Sequence, residues 1–335
     1  MAAPIVVVDA EHPDAAVVAR AASLIREGQL VVVPTETVYG LAANALDPAA
    51  VARIFAVKGR PSYNPLIVHL ADVAGMHRVV RTVPALAEQL AAAFWPGPLS
   101  LVMQRQPVVP DIVTGGRDTV AVRIPASAAT RAVIRAAGVP LAAPSANLSE
   151  RVSPTTAQHV ASQLGDGVAL ILDTGPTRVG IESTVLDLTT SPPRLLRPGG
   201  ITRQALESVI GPLGPALVAR EGEALPSPGM MARHYAPSAT LRLVEPAQRE
   251  STLAAAAALR DAGQRVTIVV RGTAALPFPD VRTMPHDAAG YARELYAMLH
   301  ALDAEKINVA FVERVPAGSA WDAIRDRLTR AATPP

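Results

Sequence analysis

The chain has 335 residues, too many for one ordinary core and enough for two domains of unequal size. Half of it is hydrophobic and 18% is charged, the composition of a globular chain rather than a disordered one. A formal charge of +2, aromatics at 3% and no block of like charge argue against a nucleic-acid tail or a base-stacking platform, and the absence of cysteine excludes disulfides, thiol catalysis and Cys-based zinc sites.

No apolar run approaches the roughly 18 residues of a spanning helix. The opening MAAPIVVVDAEHPD lacks the charged-then-apolar order of a signal peptide, so the expectation is a soluble, cytoplasmic protein. Short β-branched runs alternate with Ala-rich helical stretches up to about residue 210. Helices are predicted over Asp14–Glu27, Pro48–Val57, Pro84–Ala93, Ala128–Ala137 and Pro154–Leu164. Strands are predicted over Val31–Pro34, Leu66–His69, Ser100–Gln104, Thr119–Ile124, Leu141–Ala143, Ala169–Asp173, Ser183–Leu188 and Leu195–Arg197. Hairpin-length spacing between the last two argues for a mixed rather than an all-parallel sheet. Residues 211–238, GPLGPALVAREGEALPSPGMMARHYAPS, read as a long Pro/Gly-rich linker. From 239 to 335 the alternation β-α-β-α-β-α predicts a small, parallel, Rossmann-like α/β domain. It has no GxGxxG after its first strand, and the chain shows no internal repeat.

The chain holds no Walker A sequence, no HExxH and no nucleophile elbow. Its candidates are polar clusters at strand ends. In VVVPTETVYGL, Pro34 ends a buried strand, and Thr35 to Tyr39 either cap a turn or face a ligand at the strand-to-loop transition. Only Lys58 and Lys306 are lysines in an arginine-rich chain. Lys58 lies in KGRPSYN, where it, Arg60, Ser62 and Asn64 suit a polyphosphate, or else form a solvated basic loop. His69 ends the next strand, as a substrate contact or a satisfied structural histidine.

In TVAVRIP, period two puts Thr119, Ala121 and Arg123 on one face, a floor that suits a carboxylate or phosphate. In VPLAAPSANLSERVSPTT, Ser145 and Asn147 follow a buried strand, and Ser153 with Pro154 predicts an N-cap and a first helical residue, an end that attracts anions. GIESTVLDL and PRLLRPGG add Ser183, Thr184 and Arg197. Together these clusters describe one cavity rich in cations and hydroxyls with no nucleophile–base pair. That favours orienting an anionic nucleotide over covalent catalysis.

The segments PTETVYGL, KGRP with NPLIVH, APSAN, SPT, ESTV and LLRPG, in that order, resemble the YrdC-type threonylcarbamoyl-AMP synthases. PGMMARHYAP and the α/β tail resemble the long two-domain form of that family. The resemblance implies a twisted mixed sheet curved around a large cavity over residues 1–210. It also implies the reaction of L-threonine, bicarbonate and ATP to threonylcarbamoyl-AMP and pyrophosphate. The product serves N6-threonylcarbamoyladenosine formation in tRNA through a separate transferase complex; whether this chain itself touches tRNA is left open. By motif, the resemblance places Lys58, Arg60, Asn64, Thr119, Ser145, Asn147, Ser153, Arg197 and Tyr235 at ATP, with Lys58 and Arg60 also catalytic. It places Thr37, His69, Arg123 and Ser183 at threonine. Mg²⁺ is expected on the ATP phosphates, with no protein metal cage, and the linker is expected to fold as a lid. One rival is an RNA-binding module without ATP turnover. A hydrogenase-maturation carbamoyltransferase is a second, but its Cys-rich zinc fingers are impossible here.

Overall fold

The structure, a computed structural model, describes residues 3–215, 233–273 and 276–332. They divide into two compact units: residues up to 215 without 150–152, and those three residues with the chain from 233 onward. Most of the expected linker and lid, residues 216–232, lies outside the described residues.

The first unit is built on a ten-stranded sheet. Its strands are β1 (Ile5–Val7), β2 (Val31–Val33), β3 (Gly40–Asn44), β4 (Ile67–His69), β5 (Leu99–Gln104), β6 (Thr119–Arg123), β7 (Leu141–Ala142), β8 (Leu170–Asp173), β9 (Thr184–Asp187) and β10 (Arg194–Arg197). They run in the order β1-β8-β2-β3-β7-β4-β6-β5-β9-β10. Parallel pairs such as β4–β6 and β5–β9 mix with antiparallel pairs such as β5–β6 and β9–β10, so the sheet is mixed as the hairpin spacing predicts. β1 and β3 escape the periodicity. GLAAN is poor in β-branched residues and becomes β3 because β2 and β7 pair with it on both sides.

Alternation decides which side chains meet the core. Val120, Val122 and Ile124, with Leu66, Val68, Leu70, Leu99, Leu101 and Met103, join the larger apolar core on one face. Thr119, Ile67, His69, Ala121, Arg123, Ser100 and Val102 therefore share the opposite face. Over β2, β3, β7 and β8 that opposite side is filled by a second core with the helices Ala15–Arg26 and Ala128–Ala137.

The helix Pro48–Lys58 starts on Asp47, whose side chain accepts from Ala49 N and Ala50 N, and stops at Gly59 in the left-handed region, φ 61°. That stop turns the chain so that Lys58 and Arg60 leave the helix end together. The helix expected over Pro154–Leu164 instead spans Ala157–Leu164, and Thr156, not Ser153, is its N-cap. The Pro154 carbonyl accepts from Tyr39 N at 2.9 Å and is committed to the loop before β3, so it cannot open the helix. Ser153 donates to Glu182 Oε1 at 2.6 Å, and the anion-binding helix start inferred for it does not form.

The second unit holds a four-stranded, wholly parallel sheet in the order β11 (Thr240–Val244), β14 (Val309–Glu313), β12 (Val266–Arg271), β13 (Val281–Met284). β13 is the strand that sequence reading omits; its VRTM shows no apolar run. Ala256, Val266, Ile268, Val270, Val309 and Phe311 form one core between sheet and helix Arg249–Asp261. Among the described residues of the chain, no helix is long and apolar enough to cross a membrane.

Candidate active site

Pairing register places the polar residues of the first unit in rows. His69 pairs with Arg123 across β4–β6, and Leu101 with Val122 across β5–β6, so Ser100 stands one step on, level with Arg123. His69, Arg123 and Ser100 thus form one buried row on the face away from the large core. The loop after β2 folds over that face. Thr37 Oγ1 accepts from Arg123 at 3.0 Å, Glu36 Oε1 pairs with Arg123 at 2.7 Å, and the Gly97 carbonyl takes Arg123 Nε–H at 3.2 Å. Ser183 bonds Ser100 side chain to side chain at 2.8 Å, and Arg197 donates to the Ser183 carbonyl and hydroxyl at 3.0 and 3.1 Å. Arg197, expected at the nucleotide, is therefore held against Ser183, expected at threonine.

The question raised by PTETVYG divides residue by residue. Thr35 is a turn residue: its hydroxyl accepts from Thr37 N and Val38 N and donates to the Val38 carbonyl. Thr37 faces Arg123. Glu36 is an ion-pair partner of Arg123, anchored by Ala126 N at 3.0 Å. Tyr39 ties the loop to the end of β8, donating to Asp173 and the Gly175 carbonyl, and burial with Asp173 raises its pKa.

A second polar group lies at the other end of the same strands. β7 runs antiparallel to β4, with Ala142 opposite Val68, so Ser145 lies level with the start of β4 near Pro65. Lys58 Nζ donates to the carbonyls of Ser145 and Asn147 at 2.6 and 2.5 Å. Burial, and then Arg60, hold its pKa well below the usual lysine value. Arg60 clasps Asn64 Oδ1 at 2.6 Å, the Asn64 carbonyl at 3.0 Å and the Pro65 carbonyl at 2.8 Å. Thr119, half-buried, begins β6 at this end, four residues and roughly 13 Å of strand from Arg123. Lys58, Arg60, Asn64, Ser145, Asn147 and Thr119 are brought together; Thr37, His69, Arg123, Ser183 and Arg197 form the opposite set. Ser153 is tied to the Arg123 set through Glu182, the residue before Ser183.

His69 is neutral. Its Nδ1 donates to the Ile67 carbonyl at 3.2 Å, leaving Nε2 as the acceptor, and burial with the Arg123 charge pushes its pKa down to about 3. Tyr235 belongs to the second unit. It is buried there at φ 61°, stacked on Tyr296 at 5.7 Å, with the Arg327 guanidinium 5.1 Å from its ring centre. Glu36, Ser100 and Glu182 are the site residues that motif reading missed. Ser100 carries a signal, being the polar position of LSLVM on the face of Arg123.

A mixed α/β unit with a buried, cation-bearing sheet face defines an anion-orienting site of the YrdC-like class. The Sua5_yciO_yrdC family model, described as telomere recombination, matches residues 23–199, and a threonylcarbamoyl-AMP synthase C-terminal domain model matches residues 201–333. The chain belongs to this family, in its two-domain form. It is 43% identical to a threonylcarbamoyl-AMP synthase of Pyrococcus abyssi, covering 93% of this chain and 92% of the relative, and 40% identical to one of Bacillus subtilis over 94% and 92%. The structure of P. abyssi Sua5 complexed with L-threonine matches with a TM-score of 0.91 at 41% identity, covering 98% of this chain and 97% of that one. Escherichia coli YciO, at 23% identity and TM-score 0.53, shares the fold of the first unit.

Proposed function

We propose that this protein makes threonylcarbamoyl-AMP from L-threonine, bicarbonate and ATP, releasing pyrophosphate, for the threonylcarbamoyladenosine modification of tRNA. The observation that carries this reading is the pair of polar sets at opposite ends of β4 and β6, an arginine–hydroxyl set and a lysine–arginine set roughly 13 Å apart along β6. That span suits an amino acid next to the α-phosphate of a nucleotide.

In this reading Arg123 and Thr37 take the threonine carboxylate, with Ser183 and neutral His69 beside them. Lys58, Arg60, Asn64, Thr119, Ser145 and Asn147 take the ATP phosphates, and Ser153 and Arg197 of the same unit complete the nucleotide's surroundings. Mg²⁺ arrives as part of the substrate Mg-ATP, neutralising phosphate charge. The threonine amine and CO₂ form a carbamate whose oxygen bonds the α-phosphorus as the bond to pyrophosphate breaks. The protein's part is to hold two anions together and to keep a labile carbamate near its target. Lys58 acts partly through the backbone: its bonds to the carbonyls of Ser145 and Asn147 shape that loop, and its third N–H remains for phosphate. The product then passes to a separate transferase.

The test is to incubate the pure protein with Mg-ATP, bicarbonate and L-threonine and to measure pyrophosphate. Release that depends on both threonine and bicarbonate is expected. Release indifferent to threonine, or none, overturns the reading.

A further inference from the structure

Arg123 and Glu36 face each other at 2.7 Å with both side chains 4% exposed. A buried pair needs a reason, since its desolvation offsets most of its attraction and well-packed apolar residues would hold the fold as well. The capacity left on each partner supplies one. Arginine has five N–H donors, and among the described residues Arg123 gives two, its Nε–H to Gly97 and one from Nη1 to Thr37, while Nη2 faces Glu36 Oε1 as an ion pair without forming a hydrogen bond. One N–H on Nη1 and both on Nη2 therefore remain, enough to receive a carboxylate. Glu36 accepts from Ala126 N through Oε2, while its Oε1, ion-paired with Arg123, accepts no hydrogen bond, so most of what an ionised carboxylate can accept remains. His69, level with Arg123, is neutral and adds no charge to the row. Arg131, half-buried, donates to the carbonyls of Pro125 and Ala126 beside the N–H that anchors Glu36, and its charge also acts on Glu36, but Arg123 is the cation paired with it at 2.7 Å.

We propose that Glu36 is a specificity-determining residue: by neutralising Arg123 it makes the site select an amino-acid zwitterion over a bare carboxylate. With Arg123 alone, any small carboxylate would be attracted. With the pair, a carboxylate brings one uncompensated negative charge into a buried site, whereas a zwitterion leaves it neutral and offers its ammonium to the field of Glu36. A unit charge about 5 Å away at an effective dielectric near ~20 corresponds to about a 100-fold discrimination. Such selection has a chemical use, because only the amine-bearing ligand can form a carbamate. The inference rests on the synthase reading above, and its test separates the two.

Affinities of the full-length protein for L-threonine and for 3-hydroxybutanoate, which lacks the amine, are measured by calorimetry in wild type and in Glu36→Gln. Wild type should prefer threonine by about 100-fold, and Glu36→Gln should narrow that ratio at least ~10-fold by binding 3-hydroxybutanoate more tightly. The ratio is internal to each protein, so a general loss of stability cancels from it. Equal affinities in wild type, or an unchanged ratio in Glu36→Gln, overturn the inference. Glu36→Asp keeps the charge if the Gln variant does not fold; it should hold the wild-type ratio even where threonine binds more weakly, and a collapsed ratio overturns the charge argument. A wild-type protein that neither binds threonine nor releases pyrophosphate overturns the synthase reading itself; one that turns over threonine while Glu36→Gln keeps its ratio overturns only this inference.

Discussion

Arg123 gathers three backbone and side-chain partners from two separate segments, so its loss has two consequences. Arg123→Ala leaves Glu36 buried without its counter-ion, and thermal or denaturant unfolding should show a loss of about 3–5 kcal/mol. It should also weaken threonine binding, read by calorimetry on the folded fraction. Lys58→Ala removes two donors from the Ser145–Asn147 loop along with its charge; threonine-dependent pyrophosphate release should fall at least ~100-fold while threonine affinity changes little. His69 predicts a pH effect on stability. Its folded pKa of about 3 lies below the ordinary histidine value of 6.5, so between those values the unfolded chain binds a proton that the folded chain rejects. Its contribution is therefore present above pH 6.5 and is lost as pH falls toward 3, at a slope of up to about 1.4 kcal/mol per pH unit. Unfolding of His69→Gln should show a flatter acid limb than wild type; an identical limb overturns that assignment.

At the scale of elements, close backbone approaches carry the site. A Cβ on Gly199 would lie 2.3 Å from Thr184 N and 2.6 Å from the Glu182 carbonyl, both backbone atoms that cannot give way. Gly199→Ala should destabilise the protein by about 2–4 kcal/mol and, by displacing Ser183, weaken threonine binding; a variant with wild-type stability shows that the strand end relaxes freely. The strand face of Arg123 was legible in TVAVRIP, because period two is local geometry. The helix start at Ser153 was misread because a Ser-Pro pair predicts a cap only while its carbonyl is free, and here Pro154 is recruited by Tyr39, more than a hundred residues away. β3 was illegible for a related reason: GLAAN has weak strand preference, and its neighbours on both edges supply the ladder.

Across the whole molecule, each unit has its own apolar core. Leu295, fully buried in the helix Ala288–Ala304 of the second unit, tests that independence. Leu295→Ala should cost about 2–5 kcal/mol in the calorimetric transition of the second unit and leave threonine affinity, a property of the first, within about twofold. By itself the sequence determined the class of fold, the mixed sheet, the small parallel domain and the residues with the chemistry to bind anions. Those follow from periodicity, turn chemistry and motif order, which act over a few residues. Only the tertiary structure decided that Glu36 pairs with Arg123, that Ser100 joins the row, that Arg197 lies on Ser183, and that Thr35 serves the turn while Thr37 faces the site. Each of these rests on strand register or on a loop crossing a sheet face, contacts between distant segments that no local preference encodes.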